Sequence, residues 1–193
     1  MNRSEYLQKL KQASPEILAM SLDQCHADGL FSLVFSGIES GKLTRAFIAK
    51  KGIKPFEVQL HSHRYDLIIT VLKGEFRHHT AAASDPQDGL VLVDEFIYLS
   101  PLNGGNGLEL IGQSSLILDD YLVPATGCIK LAAEDIHTVS CTPGTIWIVE
   151  ELGFVQDSSF AYGKNFITEN LYLKPSQYQI NDAVQVVIKA LQP

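Results

Sequence analysis

Cysteine is scarce in this chain of 193 residues. Cys25, Cys128 and Cys141 are odd in number and not closely paired, which argues against a disulfide framework and fits a reducing, cytoplasmic setting. Basic side chains are also in deficit, 15 Lys and Arg against 22 Asp and Glu. The resulting net charge of −7 repels phosphate backbones and argues against nucleic acid as a partner. No apolar run approaches the ~20 residues that a membrane-spanning helix needs. The opening MNRSEYLQKLKQ lacks the hydrophobic stretch of a secretion signal. Neither a membrane nor a nucleic acid is therefore expected as a partner. What is present is the composition of a globular domain, 46% hydrophobic and 19% charged, long enough to bury a sizeable core.

Three zones follow one another along the chain. Residues 1–29 read as an N-terminal helical segment, with Ser14 placed to cap, Pro15 at a first helical position and Gly29 as terminator. Residues 30–170 change to short β-rich runs broken by Gly, Pro and Asn. They include FSLVFSG, LTRAFIAKKG, FEVQLHSH, DLIITVLKG, EFRHHT, LVLVDEFIYLS, SLILDDYLV, GCIKLAA and GTIWIVEEL. Many closely spaced strands without intervening helices predict an antiparallel sandwich or barrel. AAASDPQDG and SPLNGGNG read as loops between them. Residues 171–193 contain NDAVQVVIKALQ, whose Ala183, Val184, Val187, Ile188 and Leu191 recur at helical spacing, so a helix is expected to pack on the outside of the barrel. The fold class is thus all-β with flanking helices.

The chemistry concentrates in VQLHSHRYDLIITVLKGEF, residues 58–76. His61 and His63 are one residue apart, so on a strand both imidazoles face the same way. Behind them Leu67 to Leu72 is almost unbroken Leu, Ile, Thr and Val, the pattern of a strand buried on both sides. Imidazole is the commonest neutral ligand for zinc, copper, iron and nickel. A third ligand from a distant strand could join the pair only if the sheet curls over on itself, as a small barrel does. The plain alternative is an H-x-H that is merely surface or satisfied core.

The segment resembles the first motif of the cupin superfamily, G-x5-H-x-H-x3,4-E-x6-G. His61 and His63 match its histidines and Gly74 its closing glycine, while Pro55 stands at the leading glycine and Leu67 at the glutamate. The second cupin motif, G-x5-P-x-G-x2-H-x3-N, is loosely similar to GCIKLAAEDIHTVSCTPG, where His137 fits the histidine and Cys141 the asparagine. The resemblance implies a cupin-type double-stranded β-helix, or jelly-roll barrel, with a divalent metal ion on His61, His63 and His137. Iron(II) is the first expectation for that ion, with zinc, nickel or copper as alternatives, and a homodimer is implied as well. Loss of the glutamate would leave three neutral ligands and a full double positive charge, a centre that favours anionic ligands. Cysteine and thiol dioxygenases are similar in using three histidines without the glutamate and in carrying helices before the barrel. Their Ser-His-Tyr relay is missing from GTIWIVEEL, and other three-histidine cupins, diketone-cleaving dioxygenases among them, fit nearly as well.

Other side chains are candidates for the same cavity. Arg45, alternating with Leu43 and Phe47, could enter it and pair with a substrate carboxylate through its fork; a surface arginine is the alternative. Glu150, next to Glu151 at the end of an apolar strand, is the candidate acid or base. Asp66 could replace the missing carboxylate, although on a regular strand it faces away from His63. His78 and His79 alternate, so one of them should point inward. Tyr65, Tyr98 and Tyr121 are possible cavity walls, and Cys141 lies near His137 in sequence. The reading is a mononuclear non-haem iron dioxygenase-type enzyme for a small anionic substrate, with a thiol among the candidates. A metal-dependent isomerase, lyase or hydrolase, and a non-catalytic ligand-binding barrel, are the alternatives.

Overall fold

A computed structural model describes residues 2–37, 42–84, 91–99, 107–163 and 173–192. Helix α1 (Arg3–Lys11) starts with a capping box between Asn2 and Glu5, and α2 (Pro15–Leu18) is capped by Ser14 with proline in its first turn. The helical reading does not extend to Gly29. Helix ends at Leu18, because the next residues bond their side chains to backbone: Asp23 accepts from the Gln24 N–H and Ser21 from the Val34 N–H. Gln24 and His26 adopt left-handed backbone there, and Leu22 bridges to Ser32.

Eleven strands among the described residues, numbered along the chain, form two antiparallel sheets. β1 (Leu30–Ser36), β2 (Thr44–Ala49), β4 (Tyr65–Lys73), β8 (Cys128–Leu131) and β10 (Ile146–Phe154) make a five-stranded sheet in the order β1-β2-β10-β4-β8. β3 (Leu60–His61), β5 (Phe76–Ala83), β6 (Val91–Leu99), β7 (Gly107–Val123), β9 (Ile136–Cys141) and β11 (Ser159–Gly163) close into a ring in the order β11-β3-β9-β5-β7-β6. Several segments differ from their reading in sequence. FEVQLHSH contributes only Leu60–His61 as paired strand, whereas Ala81, Ala82 and Ala83 are strand because they pair with Leu118, Ile117 and Leu116. β7 begins at Gly107 rather than within SLILDDYLV, and β11 lies outside the β-rich runs quoted above. Residues 85–89 and 100–106, read as loops, and 164–172, across the expected boundary before the last helix, lie outside the described residues.

Period-two alternation divides the five-stranded sheet between two cores. Phe47, Leu67, Ile69, Val71, Trp147 and Val149 pack inward with Phe76 and Val139. Phe31, Leu33, Phe35, Ala46, Ile48, Ile146 and Ile148 pack outward against Tyr6 and Leu10 of α1 and against α3 (Gln177–Leu191). Helix α3 buries Ile180, Ala183, Val187 and Leu191, a stripe at three- and four-residue spacing, so it covers the outside as expected. Being covered on both faces explains the unbroken apolar runs at residues 33–35 of β1, 46–49 of β2 and 146–149 of β10. No described helix is long and apolar enough to cross a membrane.

Gly74 carries the turn from β4 into β5. Its φ is +89°, and an added Cβ would lie 2.4 Å from Thr145 Oγ1 and 2.7 Å from Thr145 Cα. Only glycine meets both the left-handed backbone and the close approach.

Candidate metal centre

Strand β3 ends on His61, whose Cα is directly opposite His137 of β9. His63 lies beyond the regular pairing but is held in the same alternation. The Ser62 N–H donates to Phe160 O at 2.9 Å, Ser62 Oγ accepts from the Phe160 N–H at 2.8 Å, and the His63 N–H donates to Ala133 O at 2.8 Å. Ser62 is thereby turned away and buried, leaving the flanking imidazoles on one side. The ring centroids of His61, His63 and His137 lie 4.8–5.0 Å apart, and their nearest candidate ligand atoms fall within 4.8 Å of one another.

The donor set fits a metal ion. His61 Nδ1 is 2.7 Å from Gln59 O, so that nitrogen donates and Nε2 is left for the centre. His63 Nε2 and His137 Nε2 face each other at 2.7 Å. Two nitrogens on one ion with bonds near 2.1 Å sit roughly 3 Å apart, so a small adjustment accommodates both. Burial pushes the pKa of all three imidazoles down, for His63 and His137 well down with the neighbouring histidine charges adding to the effect, while the bond to Gln59 O opposes it at His61. They are neutral, lone-pair-bearing rings at neutral pH. Metal binding near pH 7 then requires no proton release from them.

A cavity of about 560 Å³ opens beside the histidines, lined in part by Arg45, Phe47, Tyr65, Leu67, Tyr98 and Glu151. Arg45 shares the inward face of β2 with Phe47. Its Nη2 donates to Glu151 Oε1 at 2.8 Å, while Glu151 Oε2 accepts from the Leu43 N–H at 3.0 Å. Glu150 departs from its expected place. It lies on the opposite face of β10, with Ile146 and Ile148, where its carboxylate accepts a hydrogen bond from the Tyr6 hydroxyl of α1. Alternation permits only one of two adjacent glutamates to face the cavity, and that one is Glu151.

Asp66 does not join the centre; its Oδ1 accepts from the Ala133 N–H at 3.0 Å. Cys141 is partly buried among core residues, its thiol pKa raised by burial. His78 and His79 are both buried, rather than only one of them. His78 contacts His137, and His79 bonds Ser140 Oγ at 2.8 Å under the ring of Phe56. Tyr121 meets His78 rather than the cavity beside the three histidines. One residue was missed altogether: His26, whose ring stacks on His61 at 6.0 Å and lines the cavity. It sits in irregular chain with φ 68°, where no periodicity could reveal its direction.

No family model matches the sequence, and no curated protein matches it. Comparison with solved structures finds similarity to hydroxypropylphosphonic acid epoxidase from S. wedmorenis, at 10% identity and a TM-score of 0.42 over 68% of this chain. The chain spans 54% of that epoxidase. An RmlC-like cupin from Shewanella frigidimarina is similar at 15% identity and a TM-score of 0.30, over 80% of this chain and 88% of the other. L-ribose isomerase from Cellulomonas parahominis is similar at 13% identity and a TM-score of 0.34, over 84% and 85%. The two-sheet antiparallel barrel, with an H-x-H pair meeting a third histidine inside and the Gly74 turn behind it, is itself the deciding observation. The fold is a two-sheet antiparallel barrel of the cupin type. In this barrel Leu67, at the position of the glutamate in the motif that the sequence resembles, does face the cavity, and the carboxylate nearest it in register is Glu151 on the adjacent strand.

The neutral histidines have a measurable consequence. In the unfolded chain each takes up a proton near pH 6.5, whereas His63, His78 and His137 resist protonation when folded; burial lowers His78 to about 4. Above pH 6.5 this difference has no effect. As pH falls below that value the unfolded state binds more protons, and stability falls by about 1.4 kcal/mol per pH unit for each such imidazole. Thermal unfolding of metal-free protein should therefore be nearly level from pH 7 to 8 and drop steeply from pH 6.5 to 5. A level profile through that range would contradict buried neutral histidines.

Proposed function

We propose that this cupin is a mononuclear metal-dependent oxidoreductase, of the iron(II) dioxygenase type, acting on a small anionic substrate. The observation that carries the reading is the convergence of three neutral imidazoles beside an open cavity that also holds Arg45. His61, His63 and His137 would hold the ion, and with Leu67 in place of a carboxylate they would leave its charge uncompensated. A bound ion of this kind supplies open coordination positions and, as iron(II), dioxygen activation.

The protein's own contribution is orientation. Glu151 holds the Arg45 guanidinium in place by spending one oxygen on it and the other on the Leu43 amide. The remaining N–H groups of the fork are then free of conformational search and suit a substrate carboxylate. Phe47 and Leu67 give the wall an apolar surface, and Tyr65 and Tyr98 add hydroxyl groups.

Protein purified without a histidine tag should contain close to one equivalent of a first-row metal. Reconstituted with iron(II), it should consume dioxygen in step with a small thiol, diketone or hydroxy-acid substrate. Turnover of such a substrate without dioxygen uptake would replace this reading by isomerase, lyase or hydrolase chemistry. Failure to retain any metal would remove the enzyme reading based on these histidines.

A further inference from the structure

His78 is fully buried on β5 and lies outside the group of three histidines, yet both of its ring nitrogens are engaged in one line. Its Nε2 is 2.9 Å from His137 Nδ1, and its Nδ1 is 2.9 Å from the Tyr121 hydroxyl on β7. Tyr121 is 44% exposed and opens on a second cavity of about 400 Å³, which shares no lining residue with the first. A row of hydrogen bonds therefore runs from the candidate metal centre through the barrel wall to a separate surface.

The direction of that row follows from the chemistry of a neutral imidazole, which has one N–H and one lone pair. For His137 to offer the Nε2 lone pair to a metal ion, its proton must reside on Nδ1. That N–H needs an acceptor in the barrel wall, and His78 Nε2 is at the right distance. His78 must then carry its own proton on Nδ1 and donate to Tyr121 Oη, which turns the hydroxyl proton toward the second cavity.

We propose that His78 is a positioning residue of the metal centre: it accepts the His137 Nδ1–H, fixes the tautomer that presents Nε2 to the ion, and is itself fixed by Tyr121. The inference rests on the three-histidine metal reading above. His79 provides an internal contrast. It is the next residue on the same strand and is also buried, but it bonds Ser140 and has no hydrogen bond to the centre.

The test compares zinc affinity, by competition with a chelating dye, for the wild type and the His78→Phe, His78→Gln and His79→Gln variants. Loss of an outer partner of a metal-bound imidazole typically weakens affinity 10–100-fold, roughly the loss expected for His78→Phe. His78→Gln, whose amide oxygen can accept in place of Nε2, should recover most of it, and His79→Gln should bind as the wild type. Long-range imidazole ¹⁵N–¹H spectra of zinc-loaded wild-type protein should place the His78 proton on Nδ1. This arm needs no variant, so it decides the matter even where His78→Phe does not fold. Wild-type affinity in His78→Phe, or a His78 proton on Nε2, would overturn the proposal. Absence of zinc uptake by the wild type would overturn the metal reading beneath it, and is distinguishable because it precedes any effect of a variant.

Discussion

Replacing His137 by alanine is expected to abolish stoichiometric retention of zinc or iron(II), and His61→Ala and His63→Ala should do the same. Free energies of roughly 10–16 kcal/mol are typical of four-ligand zinc sites, so one ligand accounts for about 2.5–4 kcal/mol, or roughly 60- to 700-fold in affinity. Among the described residues the cluster contains only His61, His63 and His137, and the position from which a carboxylate would reach in holds Leu67. His137 should be the most sensitive of the three, because it joins both His63 and His78 in the row of ring contacts. The measurement is metal content after exhaustive dialysis, with circular dichroism to show that each variant remains folded. A folded variant that kept one equivalent of metal would show that its histidine is not a ligand.

Introducing Leu67→Glu should have an effect of opposite sign on metal and on stability. Leu67 is 5% exposed, packs in the inner core and also forms part of the cavity wall. In register it faces Glu151 on one side and Leu131 on the other. A second carboxylate beside Glu151 would be poorly solvated and would meet a like charge, so metal-free protein should lose several kcal/mol of stability or hold the new group protonated. A bound divalent ion would draw that carboxylate in as a fourth protein ligand and partly restore the unfolding midpoint. Chelating anions should then bind more weakly, since the tethered carboxylate competes at high effective concentration. The comparison is thermal unfolding with and without zinc or iron(II), together with metal affinity. Equal destabilisation in both conditions, with unchanged metal affinity, would show that the Leu67 side chain serves the core alone.

Much of the centre was already determined by sequence. Two-residue periodicity puts His61 and His63 on one side whether or not His63 is formally in a strand, and the spacing to Gly74 sets the length of β4 between the histidines and a turn that excludes a Cβ. The same periodicity puts Arg45 on the face of Phe47. What periodicity cannot decide is which of two apolar faces is the inner one. In β10 Trp147 and Val149 alternate with Ile146 and Ile148, so Glu150 and Glu151 are equivalent until α1 and α3 cover one side and the barrel interior claims the other. His78 was ambiguous for a related reason: alternation separates it from His79, but only the pairing of β5 with β7 and β9 brings one of them against His137. His26 lay beyond any pattern, because left-handed backbone in an irregular segment carries no period at all. Local alternation is written along the chain; the choice of face, and the partner waiting there, arises from contacts between segments far apart in sequence.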